Sequence, residues 1–196
     1  MNRYVNKQFS FQYKSTIGAD FLTKEVNIDN KVYLLYIKEY IIKITMIVQL
    51  QLWDTAGTEK FNSMGNQFYR NAECCILVYD LTDVKTFETI DSWKNEFLNQ
   101  LNPKNPESFP FILLGNKCDR VSERKVQENK IKQYCQNNNN MPFIETSAKD
   151  NTNVDKAFEL GASLALKRNS EDDEIFIPQR VEIKPINQPK PKKKCC

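Results

Sequence analysis

The chain has 196 residues, 40% of them hydrophobic, a formal net charge of +3, six cysteines and no histidine. That length and apolar content suffice for one good core. The lack of His excludes a His-based triad and a zinc pattern. No secretory leader and no membrane-length apolar run is expected, and free thiols in a reducing compartment fit the cysteines best.

In chain order, Met1 to Lys7 reads as the end of a helix. Thr16 follows in the loop Ser15-Thr16-Ile17-Gly18, and a strand is expected near 19–28. The stretch 33–47 is dominated by β-branched, aromatic and Lys residues and has no turn former. It is too short and too charged to span a membrane. It reads either as two extra arms of a hairpin or as translated intron, and it carries no functional motif. Without it, Asn30-Lys31-Val32 would join Val48-Gln49-Leu50 as an ordinary hairpin. Val48 to Trp53 alternates apolar and polar residues, as a half-buried strand does. It runs into Asp54-Thr55-Ala56-Gly57. An Asp at a strand end suits a water-mediated contact to Mg²⁺, and Gly57 lets a backbone N–H approach a γ-phosphate. Thr16 offers a hydroxyl to the same metal shell.

Further strands are expected near 74–80, 110–115 and 142–145. Cys74 and Cys75 are neighbours and cannot form an unstrained bridge. Phe87, Ile90, Trp93, Phe97 and Leu101 form one stripe at helical spacing, and Val154, Ala157, Phe158, Gly161 and Ala165 another. Both read as core. Asn137 to Asn140 reads as low-complexity loop. The alternation predicts a doubly wound, mostly parallel α/β sheet with ligand loops at the carboxyl ends of its strands.

Two strings carry the chemistry: Gly115-Asn116-Lys117-Cys118-Asp119 and Glu145-Thr146-Ser147-Ala148-Lys149. The Asp119 carboxylate can accept from guanine N1–H and from the 2-amino group. Adenine lacks that donor pair and would leave the carboxylate unpaired, which a site built on hydrogen bonds rejects strongly. Asn116 offers an amide to the base and to neighbouring loops. Lys117 can lay its aliphatic stem along the ring face. Ala148 can present a backbone N–H to guanine O6, with Ser147 and Lys149 beside it. Each string alone is a polar turn; in this order, each after a short apolar strand, they describe a pocket for guanine.

With these motifs the sequence resembles the Rab family of small GTPases, most nearly its late-endosomal branch. The resemblance rests on Tyr13-Lys14-Ser15-Thr16-Ile17-Gly18-Ala19-Asp20-Phe21, on Trp53-Asp54-Thr55-Ala56-Gly57, on Phe68-Tyr69-Arg70 and on Cys74 to Thr82. It continues through Asp91-Ser92-Trp93-Lys94 and the two base motifs, and covers residues 2 to about 168 apart from 33–47. It implies a six-stranded small-GTPase sheet of the phosphate-loop class, GTP and GDP with Mg²⁺ as ligands, and GTP hydrolysis. It implies a switch whose γ-phosphate orders two loops, regulating vesicle traffic to late endosomes and lysosomes. Ile17, Phe21, Trp53, Phe61 and Tyr69 are the implied effector contacts. The implied partners are effectors, exchange and GTPase-activating factors, an escort protein and a GDP-dissociation inhibitor, with no nucleic acid. The implied location is the cytoplasmic face of late endosome, lysosome or phagosome membranes, with a cytosolic pool.

The departures from the family pattern are specific. No Gly-x-x-x-x-Gly-Lys-Ser/Thr phosphate loop occurs in this sequence. In the resembled fold that loop and the first strand would precede Met1, and the strand would lie between those at 48–53 and 74–80. A truncated product with unpaired strand edges and weakened nucleotide binding is therefore expected. Thr58 stands where the family has the Gln that orients the attacking water. The alternatives are a nucleotide-impaired, prenylated interaction module and a non-functional product. A globular unit at 1–168 is expected to give way to a flexible tail at 169–196. That tail carries four prolines and ends Lys192-Lys193-Lys194-Cys195-Cys196. The terminal Cys pair resembles a doubly prenylated end, and two lipid chains anchor stably where one binds marginally.

Overall fold

The computed structural model describes residues 1–12, 16, 19–28, 35–37, 40–42, 46–55, 69 and 71–172. Its first half runs α1 (Asn2–Asn6), β1 (Ala19–Ile28), β2 (Leu35–Ile37), β3 (Tyr40–Ile42), β4 (Met46–Thr55) and β5 (Cys75–Asp80). The second half runs α2 (Val84–Glu88), α3 (Ile90–Leu101), β6 (Phe111–Asn116), α4 (Glu128–Asn137), β7 (Phe143–Glu145) and α5 (Val154–Asp172).

β6 organises the larger layer. It pairs in parallel with β5 on one edge and β7 on the other. Its run Phe-Ile-Leu-Leu lacks alternation because both faces are covered, as parallel strands require. Phe111 and Leu113 point into one core with Leu77 and Tyr79 of β5, Ile90 and Phe97 of α3 and Ile131 of α4. Ile112 and Leu114 point the other way, onto Ala157, Leu160 and Leu164 of α5. The parallel alternation read from the sequence is thus present.

β1 and β4 form a separate antiparallel ribbon, in register from Ala19↔Thr55 to Ile28↔Met46. Among the described residues no ladder joins β4 to β5. Those are the two strands that the sequence reading leaves with unpaired edges, and Val78 on β5 is 55% exposed. The stretch 33–47 contributes β2 and β3, a small hairpin of its own, while Met46 and Ile47 lengthen β4. Among the described residues β2 and β3 pair with each other and not with β1 or β4. They do not disturb the register Val26↔Val48.

The five-residue α1 is too short to persist alone. Tertiary contacts hold it: Tyr4 stacks on Phe158 of α5 at 4.2 Å, and Lys24 of β1 donates to the Tyr4 carbonyl at 2.9 Å. Burial, with Glu159 and Asp155 nearby, pushes the Tyr4 phenol up to about 12.

Three sequence expectations shift. The first helical stripe is broken: Phe87 lies on α2, capped by Asp83, while Ile90 to Leu101 form α3 beyond Thr89. Asn137 to Asn140 is more than loop. Asn137 closes α4, Lys94 donates to Asn138 Oδ1 at 2.5 Å, and Asn139 donates to the Glu107 carbonyl at 2.9 Å. Asn139 and Asn140 take φ of 56° and 53°, a region Asn tolerates better than most residues. Finally, α5 continues to Asp172, past the boundary read at 168.

Candidate guanine-nucleotide site

The two base motifs leave the carboxyl ends of adjacent strands, β6 and β7, and backbone bonds stitch them together. Thr146 N–H donates to the Gly115 carbonyl at 2.8 Å, and Cys118 N–H to the Thr146 carbonyl at 3.0 Å. Gly115 is required by close approach. A Cβ there would sit 2.9 Å from Tyr79 Oη and 3.0 Å from Leu81 Cδ2. After Asn116 the chain turns sharply through Lys117, at φ 65°.

Each motif side chain meets a partner from another element. Asn116 Oδ1 accepts from the Ala148 N–H at 3.3 Å and from the Thr146 hydroxyl at 3.4 Å. Ser147, fully buried, donates to Asp119 Oδ1 at 2.6 Å and accepts from the Asp150 N–H at 3.0 Å. A carboxylate accepts about four bonds. Asp119 thus keeps capacity for a base N–H pair while its angle is set by Ser147. Lys117 Nζ reaches Asp80 Oδ2 at 2.6 Å, and Asp80 Oδ1 accepts from Thr82 N–H and Oγ1 at 2.8 and 2.7 Å. Burial raises the Asp80 carboxyl, but the Lys117 and Thr82 bonds outweigh it and hold the group below the usual carboxylate range. Lys149 is exposed, and its carbonyl accepts from Arg3 at 2.6 Å.

At the metal end Thr16 Oγ1 donates to Asp54 Oδ2 at 2.9 Å. A hydroxyl and a carboxylate side by side are hard oxygen donors of the kind Mg²⁺ takes, so these two residues fit that ion. Phe21 and Trp53 face each other across the ribbon, rings 4.5 Å apart and both more than 40% exposed. Tyr69, also read as an effector contact, is half buried, with its ring edge-on to Phe97 at 5.4 Å. Ile17, Gly57, Thr58, Phe61, Cys195 and Cys196 lie outside the described residues.

The chain matches the Ras family model over residues 1–167. It is 48% identical to the Ras-related protein Rab-7a of Paramecium octaurelia, an alignment spanning 100% of this chain and 88% of that one. It is 53% identical to the Ypt/Rab-type GTPase ypt7 of Schizosaccharomyces pombe, over 88% of this chain and 78% of the relative. For Rab-7a of Dictyostelium discoideum the identity is 47%, over 100% and 88%.

The chain belongs to the Ras family.

Within it, the chain is a Rab-type small GTPase of the late-endosomal branch, a GTP-binding switch in vesicle traffic to late endosomes and lysosomes. Membership carries GTP, GDP and Mg²⁺ as ligands, effectors and regulators as partners, and association with late endosomes and lysosomes as general properties of the branch. The two alternative functions are not favoured.

Sequence reading missed three residues at this Rab site: Asp80, Arg3 and Phe9. Asp80 closes an apolar strand, a placement that already hinted at a ligand-end role. Phe9 is 40% exposed, with the Arg3 guanidinium over its ring at 5.6 Å. No local rule connects Arg3 to a loop 145 residues away.

Proposed function

We propose that residues 1–196 bind guanine nucleotide chiefly through the base end, with phosphate and Mg²⁺ affinity weakened relative to family members that carry the phosphate loop. The observation behind this is the Asn116–Ala148 and Asp119–Ser147 pair of bonds, which ties both base motifs into one prebuilt edge. Asp119 takes N1–H and the 2-amino group, the Ala148 N–H takes O6, and Lys117 lies along the ring. Ser147 sets Asp119, and Lys149 anchors the loop. Thr16 and Asp54 serve Mg²⁺, with Gly57 approaching the γ-phosphate. That metal, when bound, would neutralise phosphate charge. A phosphate cradle supplies ~4–6 charge-assisted bonds, each worth ~1.5–3 kcal/mol, so residues 1–196 taken alone would bind without most of that affinity even with non-additivity. Calorimetry of GDP and ADP on the 196-residue chain tests this. Weak binding with a guanine preference is expected; tight Mg²⁺-dependent GTP binding overturns the weakening, and no preference overturns the base site.

The same proposal gives Thr58 a slow intrinsic hydrolysis, since a hydroxyl replaces the longer amide that holds the attacking water. Ile17, Phe21, Trp53, Phe61 and Tyr69 form the effector face. Cys195 and Cys196 carry prenyl groups, added with an escort protein and shielded in a cytosolic pool by a GDP-dissociation inhibitor. They place the protein on cytoplasmic faces of late endosomes, lysosomes or phagosomes. Intact mass and fractionation check the anchor. A doubly prenylated chain that remains as cytosolic as the Cys195→Ser/Cys196→Ser form would end the anchoring claim.

A further inference from the structure

Arg3 joins the only helical turn before β1 among the described residues to the second base motif. Its Nε donates to the Ala148 carbonyl and its Nη2 to the Lys149 carbonyl, both at 2.6 Å. Its Nη1 donates to the Lys7 carbonyl at 3.1 Å, an acceptor left over where α1 ends. The guanidinium face also lies 5.6 Å from the centre of the Phe9 ring. A planar fork of fixed donors suits two successive carbonyls, and a Lys ammonium does not reproduce it. Ala148 is consequently held from both sides. Its N–H faces Asn116 Oδ1 at 3.3 Å, and its C=O is gripped by Arg3. The Asn116 contact is long, so the Arg3 bond contributes the larger share of the restraint.

We propose that Arg3 is a positioning residue for guanine recognition: by clamping the Ala148 and Lys149 carbonyls it holds the Ala148 N–H, resting on Asn116 Oδ1, where guanine O6 can take it over. The inference rests on the base-site reading above. Stability of α1 is a separate matter, because Tyr4 against Phe158 and Lys24 on the Tyr4 carbonyl hold that helix without Arg3.

The test compares GDP with 6-thio-GDP, which keeps N1–H and the 2-amino group but replaces O6 by a weaker, larger sulfur acceptor. The full chain, its Arg3→Met form and its Arg3→Lys form are titrated with both, and amide exchange is followed across 146–150. In Arg3→Met the preference for GDP over 6-thio-GDP falls roughly tenfold, the worth of one net hydrogen bond. Exchange at Ala148 and Lys149 accelerates while β6 stays protected, and Arg3→Lys recovers part of both. Asp119→Ala weakens the two nucleotides alike. Unchanged loop exchange overturns the clamp. Faster exchange with an unchanged ratio makes Arg3 merely structural and overturns the positioning role. If the parent chain shows no guanine preference at all while its loop still responds to Arg3→Met, the base-site reading has failed, and the positioning role falls with it.

Discussion

At the base end, Asn116, Lys117 and Asp119 each face a partner from another element: the Ala148 amide, Asp80 and Ser147. At the metal end, the described contact is that of Thr16 on Asp54, beside a ribbon whose ladder bonds stay within itself. The difference is one of preorganisation. The Asp119 carboxylate keeps acceptor capacity beyond its Ser147 bond, while the Ala148 N–H proposed for guanine O6 is shared with Asn116 Oδ1. Were Thr16 and Asp54 to hold Mg²⁺, the Thr16 hydroxyl would have to turn from Asp54 to offer its lone pairs. On the proposed reading, the base end is braced by more neighbouring elements than the metal end, so less ordering accompanies base binding.

The sharpest way to break that comparison is Asp119→Ala. The preference for GDP over ADP should drop by roughly 100-fold or more, because the guanine N–H pair loses its acceptor. Thr16→Ala should leave the same ratio untouched. Competition titration measures both, and a surviving ratio in Asp119→Ala shows that the base end is not where guanine is read.

Next in size is Thr58→Gln, made in a chimera that carries a relative's phosphate loop ahead of Met1. Single-turnover hydrolysis should rise about tenfold as an amide orients the water. The GDP:ADP ratio should stay constant, since the two ends act separately. Equal rates would mean that Thr58 is not limiting.

Deleting 33–47 tests the ribbon. The pairing Val26↔Val48 should survive although the end pairs Asn27↔Ile47 and Ile28↔Met46 are lost, because eight ladder positions from Ala19↔Thr55 to Val26↔Val48 remain and β2 and β3 pair with each other. The melting temperature should move by less than about 2 °C, the scale of a sub-kcal/mol change in a domain this size. A fall of several degrees would show that the segment is packed into the fold.

The smallest effect is electrostatic. The Asp80 carboxyl is held below its ordinary value, so the Lys117–Asp80 pair stabilises the fold above the unfolded pKa of ~3.9 and is lost as pH drops beneath that. Asp80→Asn should therefore lower stability modestly at neutral pH, where the pair is intact, and flatten the acid limb below about pH 4, where the two forms converge. Asp155, held down first by Lys7, has the same sign. It is 42% exposed, so solvent screening reduces its share. An unaltered acid limb would remove Asp80 from the account.

Much of this molecule was legible in its order of residues. Strand positions followed from apolar runs and period-two alternation, and the candidate guanine site was marked by Asn-Lys-Cys-Asp and Thr-Ser-Ala-Lys. Those features depend on neighbours in sequence and on the donor and acceptor pattern of each side chain. α4 was not legible, because Ile131, Tyr134 and Cys135 are too sparse a stripe among polar residues to announce a helix. The break at Thr89 was hidden for the opposite reason, since the apolar spacing runs across it. That Tyr69 also packs on Phe97 was not legible either, because the two are far apart in sequence.

By itself, then, the sequence determined the fold class and the family and named the candidate base-reading side chains, since patterning and motif spacing are local. Tertiary structure alone decided which groups hold them. Ser147 sets Asp119 from another strand end, Asp80 anchors Lys117 across the sheet, and Arg3 grips a loop distant in sequence. A hydrogen bond depends on distance and angle in space, and no spacing along the chain encodes either before β5, β6 and β7 lie side by side.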